Sequence, residues 1–95
     1  MVRKEKTAKK LERHFKGIAN HRRIEILKVI ALNEGITLDE IANLLRCNFK
    51  TISGHTKTLV HSGLVVKKYK GKAVQHFLSP YGKIIYEFIE KFKNL

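Results

Sequence analysis

Ninety-five residues bound one domain with a thin burial margin, so association of two copies is a natural supplement to its core. Hydrophobic content of 43% excludes a disordered chain, and the lone cysteine, Cys47, excludes an internal disulfide and fits a reducing compartment. The formal net charge of +12 points to a polyanionic partner.

The charge is unevenly spread. No Asp or Glu occurs between Ile41 and Tyr86, a span that carries Arg46, Lys50, Lys57, Lys67, Lys68, Lys70, Lys72 and Lys83. A solvated surface ordinarily mixes both signs, so this part of the chain reads as anion-facing. Solubility through excess lysine is the competing reading. The opening MVRKEKTAKK lacks the apolar run of a signal peptide, and no stretch approaches the roughly 18 apolar residues of a membrane span. A cytoplasmic protein without a membrane partner is expected.

Residues 1–6 read as a basic arm and 7–95 as a single domain. Ala8, Leu11, Phe15 and Ile18 form a helical stripe, loosened near its end by Gly17. Asn20 can cap a second helix, HRRIEILKVIALN, whose inner face is Ile24, Leu27, Ile30 and Ala31, widened by Ile26 and Val29. Asn33 and Gly35 stop it. Thr37 and Glu40 have capping-box spacing at the head of a short helix that turns Leu38, Ile41, Ala42 and Leu45 inward. After a turn at Arg46–Cys47, Asn48 caps the next helix, which ends near Ser62–Gly63. Then LVVKKYKGKAVQHFL changes period, and Gly71 in a short lysine-flanked turn predicts a β-hairpin. Ser79 and Pro80 begin the last helix, along which Tyr81, Ile85, Phe88, Phe92 and Leu95 recur at spacings of four and three. The expected fold is therefore mainly α with a small β-hairpin, in the order α-α-α-α-β-β-α, with room for a short extra strand near Ile36. This is the plan of a winged helix-turn-helix: one helix fits a DNA major groove while hairpin lysines reach flanking phosphates.

The stretch ANHRRIEILKVI resembles the ArsR-type helix that begins Asp-Pro-x-Arg, with Asn20 in place of the Asp and Arg23 of the Arg. LDEIANLLRCNFKTISGHTKTLVHSGLV and GKAVQHFL are similar to that family's helix-turn-helix and wing, while LSPYGKII is closer to the MarR type. The resemblance covers roughly residues 15–90 and implies a winged-helix transcriptional regulator. Two departures touch the turn: Arg46 stands where a glycine is usual, and Thr56 where a leucine follows the histidine. Metal-sensing members carry a cysteine pair where this chain has GITLDEI, so no metal or cofactor is expected.

On a helical wheel, Ile52, Thr56, Leu59 and Val60 fall within about 100° of one another, with His55 at the border. Lys50, Gly54, Lys57 and His61 lie opposite, flanked by Thr51, Ser53 and Thr58. Residues 48–62 are thus the expected recognition helix, with Asn48, Lys50, Thr51, Ser53, Gly54, Lys57, Thr58 and His61 as DNA contacts. Gly54 at the centre of that face either admits close approach of the backbone to DNA or is a tolerated flaw. Residues 64–78 form the wing, contributing Lys67, Lys68, Lys70, Gly71 and Lys72. Leu11, Phe15, Tyr81, Ile85, Phe88 and Phe92 are the expected homodimer interface. Arg22 and Arg23 read as capping or pairing residues, and Cys47 as a small half-buried apolar one.

His14, His21, His55, His61 and His76 show no metal-ligand spacing; His61 and His76 are candidate phosphate contacts. No nucleophile elbow or phosphate-cradling glycine loop is present, so enzymatic activity is not expected. The leading reading is a homodimeric, sequence-specific transcriptional repressor acting on double-stranded DNA. An architectural protein that coats DNA with little sequence choice is the second, and a protein-interaction winged helix the third.

Overall fold

Thr7, Asn20, Thr37, Asn48 and Ser79 each stand immediately before a helix, and each side chain accepts an otherwise orphaned backbone N–H of the first turn. Each such cap contributes about 1 kcal/mol and fixes where its helix begins. In this computed structural model, which describes residues 5–95, they open α1 (Ala8–Ile18), α2 (His21–Leu32), α3 (Leu38–Leu45), α4 (Phe49–His61) and α5 (Pro80–Phe92). Between α4 and α5 run β1 (Val65–Lys70) and β2 (Ala73–Leu78). Of the basic arm read over residues 1–6, residues 1–4 lie outside the described residues; Lys6 holds its Nζ 4.3 Å from the centre of the Tyr81 ring.

The strands pair antiparallel from Val65↔Leu78 to Lys70↔Ala73, leaving a two-residue turn in which Gly71 has a φ of 60°. That left-handed conformation is what such a tight hairpin asks of its turn, and glycine adopts it without a Cβ penalty. The short extra strand near Ile36 is a single bridge. His76 N–H donates to Ile36 O at 2.9 Å and Gly35 N–H to His76 O at 2.8 Å, so the α2–α3 loop borders β2. Five helices and one hairpin in the order α-α-α-α-β-β-α make the molecule a winged helix-turn-helix.

The core gathers between α2, α3, α4 and the hairpin. Ile26, Leu27, Ile30, Ile41, Ile52, Leu59 and Leu64 are fully buried. Ile24, read as an inner residue of α2, is 38% exposed, because the neighbours of α2 meet the side shared by Ile26, Leu27 and Ile30. The turn between α3 and α4 is made without glycine: Arg46 itself takes a φ of 50°. A left-handed non-glycine residue costs about 1–2 kcal/mol, and bonds from Arg46 N–H to Asn43 O (3.2 Å) and from Cys47 N–H to Ala42 O (3.0 Å) hold it. Cys47 is half-buried, as expected.

Gly17 does not loosen α1; it is buried, and a Cβ there would collide with the Ser62 side chain. Gly82 is the matching contact on α5, where a Cβ would fall onto the backbone carbonyl of Leu64. Because the obstacle at Gly82 is backbone, it cannot rotate aside. Gly82→Ala is therefore expected to lower stability by about 2–3 kcal/mol in urea unfolding, the upper range for overpacking. A loss under about 0.5 kcal/mol would mean that α5 rides loosely on the hairpin.

Candidate nucleic-acid interface

The α4 wheel read from the sequence matches the burial seen. Ile52, Thr56 and Leu59 are buried, while Lys50, Thr51, Gly54, Lys57, Thr58 and His61 are exposed and Ser53 is half-buried. Nothing lies within 4 Å of where a Gly54 Cβ would stand, so no packing demand explains that glycine. Two of the expected DNA contacts are partly engaged within the helix. Asn48 Oδ1 accepts from Lys50 N–H (2.7 Å) and Thr51 N–H (3.3 Å), and the Thr58 hydroxyl donates to Gly54 O (3.3 Å).

The wing divides its lysines between two faces, since side chains alternate along a strand. Lys67 shares the face of His76 and joins Ser53, Thr56, Lys57 and His61 around a cavity of about 200 Å³ between α4 and β1. Lys68 and Lys70 lie on the other face, where Lys68 Nζ sits 4.9 Å from the centre of the Phe77 ring. Gly71 and Lys72 form the exposed tip. The inner wall of the cavity includes Thr56, whose buried hydroxyl has no hydrogen-bond partner among the described residues.

His76 is not available to a phosphate. It is 1% exposed, and its Nδ1 donates to Ile36 O at 2.9 Å. Burial lowers its pKa below the ordinary histidine value; the bond to Ile36 opposes that shift and the charge of Lys67 adds to it. The residue that read as a surface cation is thus a neutral clasp between β2 and the α2–α3 loop. His61, in contrast, is exposed.

Arg23 works structurally. Its Nε donates to Gly17 O at 2.6 Å, Nη2 to Lys16 O at 3.3 Å and Nη1 to His55 Nδ1 at 3.3 Å, tying the end of α1 to α4 through α2. As acceptor from arginine, His55 carries its proton on Nε2. Partial burial, then the Arg23 charge, lowers its pKa. Arg22 pairs with Glu25 at 3.0 Å.

On α1 and α5, Leu11, Phe15, Tyr81, Phe88 and Phe92 are exposed apolar residues. Ile85 differs: it is half-buried and packs against the monomer's own core. Ile84, one position earlier and 65% exposed, occupies the outer face in its stead. Sequence reasoning also passed over Phe49 and Tyr69, exposed at the head of α4 and on the wing; aromatic residues in a basic stretch are the signal it could have used. Among the described residues, no group of three His, Cys, Asp or Glu is placed to hold a metal, and no helix is long and apolar enough to cross a membrane.

The family model HVO_A0114 matches residues 18–86. No curated protein matches the sequence significantly. Among solved structures, HlyU from Vibrio cholerae N16961 is 27% identical, with a TM-score of 0.83 over 97% of this chain and 100% of that one. Mb0332 from Mycobacterium bovis, described as a homodimeric winged helix-turn-helix DNA-binding domain and a possible ArsR-family regulator, is 23% identical. Its TM-score is 0.81 over 90% of this chain and 80% of that one. FabT from Streptococcus pneumoniae, solved in complex with DNA, is 13% identical, with a TM-score of 0.72 over 88% of this chain and 65% of that one. At those identities the last two speak to fold alone. Two further structures of the same fold, SlyA and the MarR family protein SP03579, are described as transcriptional regulators.

Two expectations follow from the geometry. Gly54→Ala fills open space on an exposed helix, so it should raise stability by about 0.5–1 kcal/mol in urea unfolding. His76 titrates near pH 6.5 when unfolded but resists protonation when folded, so the unfolded chain takes up its proton first as pH falls. Its contribution is complete above about pH 6.5 and drains away below it. The urea midpoint should fall between about pH 7.5 and 5, and His76→Gln should flatten part of that fall.

Proposed function

The chain belongs to the HVO_A0114 family, and we propose that it is a DNA-binding transcriptional regulator acting as a homodimer, a repressor that occupies its operator. The observation that carries this reading is the outward face of α4: exposed Lys50, Gly54, Lys57 and His61, flanked by the wing lysines, in a span from Ile41 to Tyr86 without a carboxylate. A cationic helix standing clear of its own domain fits a major groove.

In this reading Asn48, Lys50, Thr51, Ser53, Gly54, Lys57, Thr58 and His61 face the DNA. Lys50 and Lys57 act as phosphate anchors, because lysine lacks the arginine fork that reads guanine in a bidentate way. Lys67, Lys68, Lys70, Gly71 and Lys72 reach the flanking backbone from the wing. Leu11, Phe15, Tyr81, Phe88 and Phe92, with Ile84, cover one another across a twofold axis, and Ile85 supports them from beneath. A twofold dimer sets two copies of α4 about 34 Å apart on a pseudo-palindromic site. Proteins of the same fold take both forms: Mb0332 is described as homodimeric, and FabT was solved with DNA. The setting of this reading is the cytoplasm.

One observation favours a second reading. The outward face of α4 offers ammonium and hydroxyl groups around a bare glycine, a composition suited to a protein that coats DNA with little sequence choice. Selection of bound fragments from random duplex DNA separates the two. A regulator yields a sharp twofold motif and binds it about 10³-fold or more tightly than random DNA at fixed salt. A ratio below about tenfold favours coating, and a stable monomer at tens of micromolar in equilibrium sedimentation would sink the dimeric regulator.

A further inference from the structure

Helix α1 has three sides. Gly17, Ile18 and half-buried His14 face the body of the domain, while Leu11 and Phe15 remain exposed along one flank. The other flank carries Lys9, Arg13 and Lys16, and it borders α4. These three basic residues share with Thr58 and His61 a groove of about 500 Å³. The border is fixed at its end: Arg13 Nε donates to His61 O at 3.0 Å, and His14 Nδ1 to Ser62 O at 2.6 Å. Glu12 is the one acid lining the groove, held 3.3 Å from Lys16, with both side chains more than half exposed. An exposed pair of that kind holds Lys16 weakly and yields it readily to a competing anion.

A helix about 10–12 Å across nearly fills a major groove about 12 Å wide, so sugar–phosphate strands run along both of its sides. Beside α4, one side is bounded by the wing, with Lys57 and Lys67 at the cavity edge. The opposite side is bounded by α1. We propose that α1 is a third DNA-contacting element, on which Lys9, Arg13 and Lys16 hold phosphates of the strand that the wing does not reach. The inference rests on the DNA-binding reading above and extends it to a helix whose opposite flank would meet the partner protomer. Arg13 is the fixed point of the site, because its guanidinium is already anchored on α4 and its remaining N–H groups suit a phosphate. Lys9 and Lys16 add mobile charge on either side.

The test is the double variant Lys9→Ala/Lys16→Ala in the full chain, titrated by fluorescence anisotropy against a random-sequence duplex between about 50 and 200 mM salt. Both side chains are exposed on the surface, so folding is retained. Each lost phosphate contact should make the log–log salt slope shallower by about 0.9 per protomer, with affinity at about 100 mM salt roughly tenfold lower. Lys28→Ala/Lys91→Ala removes the same charge from α2 and the far end of α5, and should leave the slope unchanged. Wild-type binding with the same slope and affinity in the α1 variant overturns this inference alone, as does equal weakening by both variants. Absence of salt-dependent binding by the wild-type chain overturns the DNA-binding reading and this inference together.

Discussion

What this protein can present to a partner depends on the four residues from His61 to Leu64, where the helix α4 becomes the wing. Two elements converge on that short stretch of backbone. From α1, Arg13 and His14 donate to the carbonyls of His61 and Ser62, and Gly17 packs onto the Ser62 side chain. From the head of α5, the Ser79 hydroxyl donates to Gly63 O at 2.6 Å, Ser79 N–H donates to Leu64 O at 3.0 Å, and Gly82 lies against that same carbonyl. The last carbonyls of a helix have no partner within it. Here Leu59 and Val60 accept from the N–H groups of Leu64 and Gly63, while His61 and Ser62 are satisfied by side chains from α1, more than forty residues away in sequence. The joint therefore does two things at once: it closes α4 and fixes the angle at which the wing leaves it. Both terminal helices are thereby locked to the same point, which relates the apolar surface on α1 and α5 to the cationic surface on α4 and the wing.

That arrangement sorts charge. A protein with a net charge of +12 pays for it in self-repulsion, and four of its eight acidic residues do structural work away from the cationic face. Glu34 accepts from Leu78 N–H at 3.1 Å, joining the α2–α3 loop to β2. Glu40 closes the capping box of α3, and its bonds from the Thr37 N–H and hydroxyl lower its pKa. Glu25 pairs with Arg22 on α2. Glu90 accepts from the Tyr86 hydroxyl and pairs with Lys93 at 2.7 Å, the lysine being the main cause of its lowered pKa. None of these acids lies on α4 or the hairpin, so the positive field there is left uncompensated. A field of one sign over a helix and its neighbouring hairpin raises the local concentration of a polyanion before any specific contact forms.

Much of this was legible in the sequence because it is local. Caps at Asn20, Thr37, Asn48 and Ser79, the change of period after Leu64, and the glycine of a two-residue hairpin each depend on residues within a few positions of one another. The inward face of α4 was legible too, since its apolar residues are few and regularly spaced. The misreadings share one cause. Which side of α2 faces inward, and whether Ile84 or Ile85 lies outermost on α5, is decided by neighbours distant in sequence. The same is true of His76, which looks like a wing cation until the α2–α3 loop is folded over it. Gly17 looks like a helix breaker in the sequence; it is a close approach, visible only once the Ser62 side chain is in place.

Gly54 remains the position where local stability and surface chemistry part company. It sits in the middle of a 13-residue helix, exposed, with no neighbour that a side chain would disturb. Its cost of about 0.5–1 kcal/mol is therefore not repaid within the monomer. Around it stand Lys50, Lys57, Ser53 and Thr51, while the side-chain oxygen Oδ1 of Asn48 is committed to its own helix cap. None of these side chains offers the free bidentate fork by which arginine, asparagine or glutamine distinguishes one base pair from another. On the DNA-binding reading, sequence choice must then come less from base edges than from the spacing of two α4 helices and the shape of the DNA between them. A helix that reads shape gains from approaching the groove closely, and a missing side chain at the centre of its outer face removes the first obstacle to that approach.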